Sequence, residues 1–248
     1  MSVMSATSAI DDRISTEFVT ANGLRFEVDM CGDQSSNKLA ICLHGFPEHS
    51  VSWRNQLPML AELGYKVWAP NMRGYGNSSI PLDKKDYAIE NLLADVAALI
   101  DAAECEETIL LAHDWGAVIA WYFSIREIRP LSKLVICNVP HPAASFARAG
   151  WAQLKKSWYI FFFQIPGLPE WLIGRRGNAM GEMIKASSTR PEMYSQEVIN
   201  LYSQNAARPG GLTAMINYYR ELFFGGGAKR QKDQGFPIIE TPTLMCWG

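Results

Sequence analysis

The first 140 residues alternate in a pattern that few folds can accommodate. Short apolar runs, each the length of a buried strand, take turns with stretches of helical periodicity: residues 39–43 then 52–63, 66–69 then 87–103, 108–112 then 117–126, and finally 134–139. Runs that are apolar throughout are buried on both faces, so strands of this kind separated by amphipathic helices predict a mostly parallel sheet covered on both sides. Ahead of them, residues 18–20 and 24–30 flank Ala21-Asn22-Gly23. Asn-Gly between two β-favouring runs predicts a hairpin, so the sheet should open with two antiparallel strands.

The alternation stops at Pro140. From there to about residue 234 the chain reads as helical and aromatic stretches broken by Pro and Gly, and only residues 241–247 look like a strand again. The expected organisation is an α/β core over residues 1–139, a helical cap inserted over 140–235, and a return to the core over 236–248. Gly225-Gly226-Gly227 followed by Ala228-Lys229-Arg230-Gln231-Lys232 is expected to be a flexible return with a solvated basic loop. A length of 248 residues suits one large domain with such an insertion, and 48% hydrophobic against 19% charged residues rules out a disordered chain.

Several classes are excluded or disfavoured. A formal charge of -2 provides no overall basic field for nucleic acid. The five cysteines, Cys31, Cys42, Cys105, Cys137 and Cys246, are far apart and never form C-x-x-C, which argues against a disulfide framework or a zinc site and for a reducing, cytoplasmic setting. Residues 1–10 lack the basic and apolar regions of a signal peptide. The longest apolar stretch, residues 158–163, is far short of the ~18 residues a membrane span requires.

The chemistry gathers at two strand ends. Strand 108–112 runs into Ala112-His113-Asp114-Trp115-Gly116-Ala117 and then a helix, a small-x-Asp-x-small turn with a carboxylate where G-x-S-x-G has serine. Asp114 at the apex reads as a nucleophile beside the N–H groups of a helix N-terminus, or more plainly as a helix cap. Strand 39–43 ends in His44-Gly45-Phe46-Pro47-Glu48, and a turn here is placed to supply a second backbone donor. The backbone N–H groups of Phe46 and Trp115 are the expected oxyanion pair. His44 is expected to support its turn, and Arg73-Gly74-Tyr75-Gly76-Asn77-Ser78 to shape the neighbouring loop. No metal ligands or cofactor motif are apparent.

With these motifs assembled, the chain resembles the α/β-hydrolase fold and, within it, the epoxide hydrolases. Trp158-Tyr159-Ile160-Phe161-Phe162-Phe163 and Asn217-Tyr218-Tyr219-Arg220 are similar to the family's two cap tyrosine segments. The resemblance implies that Tyr159 and Tyr219 donate hydrogen bonds to an epoxide oxygen, with Tyr218 an adjacent competitor. It also implies an apolar small-molecule epoxide as partner and no cofactor. These residue types suit the chemistry: a carboxylate of ordinary pKa ~3.9 is already anionic, and phenols of pKa ~10 stay protonated until an alkoxide forms. Aromatic residues crowd 151–171, which predicts an apolar pocket. The family's acid and histidine follow the post-cap strand, whereas His44, His49, His113 and His141 all lie earlier. The expectation is therefore a truncated enzyme able to form an ester on Asp114 but lacking the base to hydrolyse it. The alternatives are a dehalogenase of the same fold and a non-catalytic small-molecule binder.

Overall fold

A computed structural model describes residues 10–147, 158–174 and 180–248. Residues 1–9 and Trp151 lie outside them. Among the described residues the sheet has seven strands in the order β1-β2-β4-β3-β5-β6-β7, formed by β1 (Ser15–Ala21), β2 (Leu24–Cys31), β3 (Lys38–Leu43), β4 (Lys66–Pro70), β5 (Glu107–His113), β6 (Lys133–Cys137) and β7 (Thr243–Cys246). The β1–β2 and β2–β4 pairs are antiparallel and the other pairings parallel. This is the mostly parallel sheet predicted, opened by the predicted hairpin: Ala21 pairs with Leu24, and Asn22 and Gly23 turn the chain at φ 48° and 71°. Two successive positive φ values are what a two-residue type I′ turn requires.

Alternation along the strands divides the core. Ala40, Cys42, Val67, Ala69, Ile109 and Leu111 pack against Leu57 of α1 (Gln56–Glu62). Their neighbours Leu39, Ile41, Leu43, Leu110, Ala112, Leu134 and Ile136 face the opposite way, where α2 (Ile89–Ala103) and α3 (Trp115–Ile125) cover them. The predicted helix over 52–63 is instead a 3₁₀ turn, Ser50–Trp53, followed by α1. Pro58, which has no N–H to donate, thereby falls in the first helical turn.

The strand order also locates the site. From β3 the chain moves to β4 on one side, then crosses β3 to place β5 on the other. A crevice forms at such a reversal, outside the carboxyl ends of the two strands. The ends concerned are Leu43, which leads into the 44–48 turn, and His113, which leads into Asp114.

Beyond β6, the described residues form α4 (Pro142–Ala147), α5 (Trp158–Phe162), α6 (Leu168–Gly174), α7 (Met180–Ser187), α8 (Gln196–Ala207), α9 (Gly211–Tyr219) and α10 (Gly227–Asp233). One π-helical turn, Arg220–Phe224, continues α9. The basic segment expected to be a flexible loop is α10. Gly226 enters it at φ 83°, Arg230 forks onto Glu90 of α2 at 3.1 and 2.9 Å, and Arg126 donates to the carbonyls of Gln231 and Gly235 at 2.8 and 2.9 Å. These anchors to the core give the segment partners that its charge alone did not reveal.

Arg73 ties the loop after β4 to the rest of the core. Its guanidinium forks onto Asp95 of α2 at 2.6 and 2.5 Å, both side chains being buried, and Asn22 of the hairpin turn donates to the same carboxylate at 2.8 Å. Arg73→Leu should leave Asp95 buried without its counter-charge and cost roughly 3–5 kcal/mol. Adding Asp95→Leu should recover much of that loss. Urea unfolding of the two variants checks both expectations, and a double variant no more stable than the single one would contradict them.

Candidate active site

Asp114 lies between β5 and α3 at φ 48° and ψ -117°, a backbone conformation that a residue bearing a Cβ seldom adopts and that costs of order 1–3 kcal/mol. The surrounding contacts over-determine it. Gly116 donates its N–H to the carbonyl of His44 at 3.0 Å, and Val118 donates to the carbonyl of Asp114 at 2.9 Å. A Cβ on Gly116 would stand 2.4 Å from the carbonyl oxygen of Leu43, and one on Gly45 would stand 2.4 Å from the Cβ of Asp114. The small residues of both motifs thus allow the two strand ends to touch.

That closeness places the carboxylate on the turn. The Phe46 N–H donates to Asp114 Oδ1 at 2.7 Å, and Trp115 opens α3 directly beside it. Burial pushes the Asp114 carboxyl above its ordinary pKa and the charge of Glu48 pushes the same way, while the backbone N–H groups of Phe46 and Trp115 and the charge of His113 pull it back. Asp114 as a residue is neither fully buried nor exposed.

The turn itself is rigid. His44 is fully buried, with Nδ1 on the carbonyl of Gly45 at 2.9 Å and Nε2 accepting from the Met72 N–H at 3.1 Å. Burial holds its pKa down to about 4, and the neutral ring joins the turn to the loop after β4. Glu48 accepts from the Gly45 N–H at 2.9 Å and pairs with His113 Nδ1 at 3.2 Å. Sequence reasoning gave neither member of this pair a role. The visible signal was a Glu closing one motif and a His opening the next, on strand ends that the sheet makes neighbours.

Tyr219, the last residue of α9, is buried with its ring 4.9 Å from Trp115, 5.2 Å from Phe46 and 5.1 Å from Phe163. Tyr159, on α5, is 36% exposed, and its ring lies 5.8 Å from that of Tyr219. Burial, then the charge of Asp114, raises both phenols above their ordinary pKa. Tyr218 points elsewhere: it is fully buried and donates to the carbonyl of Arg73 at 2.8 Å. The aromatic segment 158–171 does not line a pocket throughout. Tyr159 and Phe163, one helical turn apart, share the face toward Tyr219, whereas Trp158, Phe161 and Trp171 are exposed.

The other histidines serve loops. His49 Nδ1 lies 3.0 Å from the Ser50 hydroxyl, and His141 accepts from the Ala143 N–H at 3.3 Å with its ring against Trp121. Among the described residues, no group of three or more His, Cys, Asp or Glu is placed to hold a metal ion, and no helix is long and apolar enough to cross a membrane.

The reversal in strand order and the Asp-bearing strand-to-helix elbow define an α/β hydrolase. Residues 39–172 match the family model described as alpha/beta hydrolase fold. AB hydrolase superfamily protein YfhM of Bacillus subtilis (strain 168) is 36% identical over 242 residues, covering 96% of this chain and 82% of that protein. Epoxide hydrolase 3 of Xenopus tropicalis is 35% identical over 237 residues, which are 92% of this chain and 62% of that protein. The crystal structure of Epoxide Hydrolase A from Mycobacterium thermoresistibile superposes with a TM-score of 0.78 at 27% identity, covering 95% of this chain and 82% of that one. The chain belongs to the α/β-hydrolase family and is epoxide hydrolase-like within it. It spans less than two thirds of the Xenopus relative.

The Glu48 hydrogen bond lifts the His113 pKa above its ordinary value, against the opposing effect of burial. A raised histidine pKa contributes stability that is complete below about pH 6.5 and fades as pH climbs through the folded-state value. Glu48→Gln should move the His113 titration toward lower pH, read from its ring resonances by NMR. An unmoved midpoint would show that Glu48 does not govern it.

Proposed function

We propose that the chain carries the epoxide-opening machinery of an epoxide hydrolase acting on an apolar small-molecule epoxide. The observation that carries this reading is the placement of Asp114 on the Phe46 N–H, with Tyr159 and Tyr219 together on the side of the crevice formed by the helical segment. Opening an epoxide is displacement at a saturated carbon, for which a carboxylate needs no activating base. Asp114 attacks the ring carbon as the carbon–oxygen bond breaks, and the departing alkoxide takes a proton from one phenol while the other donates a hydrogen bond. The product is an alkyl ester on Asp114. Phe46 and Trp115, relieved of the carboxylate charge, then offer their N–H groups to the oxyanion that forms when water attacks the ester.

The rings of Phe46, Phe163 and Trp115 around Tyr219 favour an apolar substrate. A dehalogenase would need polar donors facing a halide. Here the Trp115 ring packs edge-on against Tyr219, and Phe46 has no polar side chain. Ester release needs a general base, and His44, His49, His113 and His141 are committed to turns, loops or Glu48. The ester should therefore accumulate on the 248-residue chain.

Incubation with styrene oxide should add one substrate mass to the protein, on the peptide containing Asp114, and Asp114→Ala should remain unmodified. Labelling that survives in Asp114→Ala would refute the assignment. Tyr159→Phe or Tyr219→Phe should slow single-turnover alkylation by roughly 10- to 1000-fold, the scale of losing one positioned donor. Tyr218→Phe should leave that rate nearly unchanged while costing about 1 kcal/mol of stability through its lost hydrogen bond. The opposite pattern would transfer the donor role to Tyr218.

A further inference from the structure

Cys137 and Cys246 form one rung of the parallel β6–β7 ladder. The register is fixed at that rung, since the Asn138 N–H donates to the carbonyl of Cys246 at 2.9 Å and the Gly248 N–H to the Asn138 side chain at 2.8 Å. Paired residues of neighbouring strands project to the same face of a sheet, and the strands lie about 4.8 Å apart. Both thiols are free, Cys246 being exposed and Cys137 partly buried. The other three cysteines are placed differently: Cys31 and Cys42 are buried, and Cys105 directs its thiol at the carbonyls of Ser36 and Ala103.

We propose that Cys137 and Cys246 are a redox modification site, closing to a reversible intrachain disulfide when the protein meets a peroxide. The exposed Cys246 thiolate attacks the peroxide, breaking the O–O bond and leaving a sulfenic acid and one water. The Cys137 thiolate then attacks that sulfur and displaces hydroxide, which is protonated to a second water. Two thiols are oxidised by two electrons and the peroxide is reduced by two. A Cα separation of about 4.8 Å lies within the ~4.4–6.8 Å range that disulfides span. Directly paired Cβ atoms at about the same spacing exceed the ~3.8 Å that is typical, so closure must draw the strands together. A bond formed against such a displacement is readily reduced again.

The test exposes the 248-residue chain to hydrogen peroxide without denaturant, then alkylates the remaining thiols and maps the peptides. The expected product is a monomer lighter by two hydrogens, with two fewer alkylatable thiols, a crosslink joining the peptides of Cys137 and Cys246, and full reversal by dithiothreitol. Cys137→Ser and Cys246→Ser should each abolish the crosslink. Phenylarsine oxide, which bridges two adjacent thiols with loss of one water, should bind the unoxidised protein one to one and neither Ser variant. A disulfide joining two chains through Cys246, a stable oxygen adduct on Cys246 with Cys137 still alkylatable, or failure to bind the arsenical would each overturn the proposal.

Discussion

The approach of two strand ends to within a glycine's width governs the rest of this site. β3 and β5 are paired in register up to Leu43 and Ala112, and the next residues of each strand must either splay apart or interlock. They interlock, because Gly45 and Gly116 remove the atoms that would otherwise collide with Asp114 and Leu43. The Gly116 N–H closes the junction on the His44 carbonyl, and this contact offsets the unfavourable backbone of Asp114. The carboxylate that this backbone carries accepts from the Phe46 N–H. The position of that backbone is a property of the sheet.

The helical segment is attached to the same junction at several points. Asn205 of α8 donates to the carbonyl of Glu48 at 2.7 Å and accepts from the Gly76 N–H at 2.8 Å, gripping both loops beside the crevice. Tyr218 anchors α9 to the carbonyl of Arg73, whose side chain is in turn fixed by Asp95. Adjacent residues of α9 thus divide two tasks: Tyr218 fastens the helix and Tyr219 projects toward Asp114. The helix then widens into a π turn at Arg220–Phe224, where Arg220 donates to the carbonyl of Phe163 at 2.9 Å and pairs with Glu170 at 2.7 Å. That fork couples the segment carrying Tyr159 to the one carrying Tyr219.

Much of the fold was legible because burial writes itself into sequence with a period. The strands of the core and the Asn22-Gly23 turn were readable from apolar runs and turn chemistry, and Asp114 stood out because the small residues around it have no other purpose at a strand end. What was not legible depended on partners distant in sequence. Helix α10 looked like a solvated loop because its support comes from Glu90 and Arg126. The exposure of Trp158 and Phe161 follows from the phase of a five-residue helix, which composition cannot supply. Tyr218 and Tyr219 are chemically identical neighbours, distinguished by partners distant in sequence: the carbonyl of Arg73 for one, Phe46, Phe163 and Tyr159 for the other.

The electrostatics of the crevice follow from its packing. Asp114 and Glu48 are two carboxylates that burial would raise and that repel one another, yet they are held by different means. Glu48 keeps a depressed pKa despite burial because His113 and the Gly45 N–H both bind its charged form. Asp114 has the two backbone N–H groups and a share of the His113 charge, which do not fully offset its burial. The consequence is a division of labour between acids close enough to feel one another but distant in sequence: one satisfied and structural, the other under-solvated. On the proposed reading, a nucleophile less solvated than it would be in water has less hydration to shed as it attacks, and the donors that hold it are already aimed where negative charge returns when the ester is hydrolysed. Preorganised backbone N–H groups would in this way serve both the resting carboxylate and the later oxyanion, without rearrangement between the two steps.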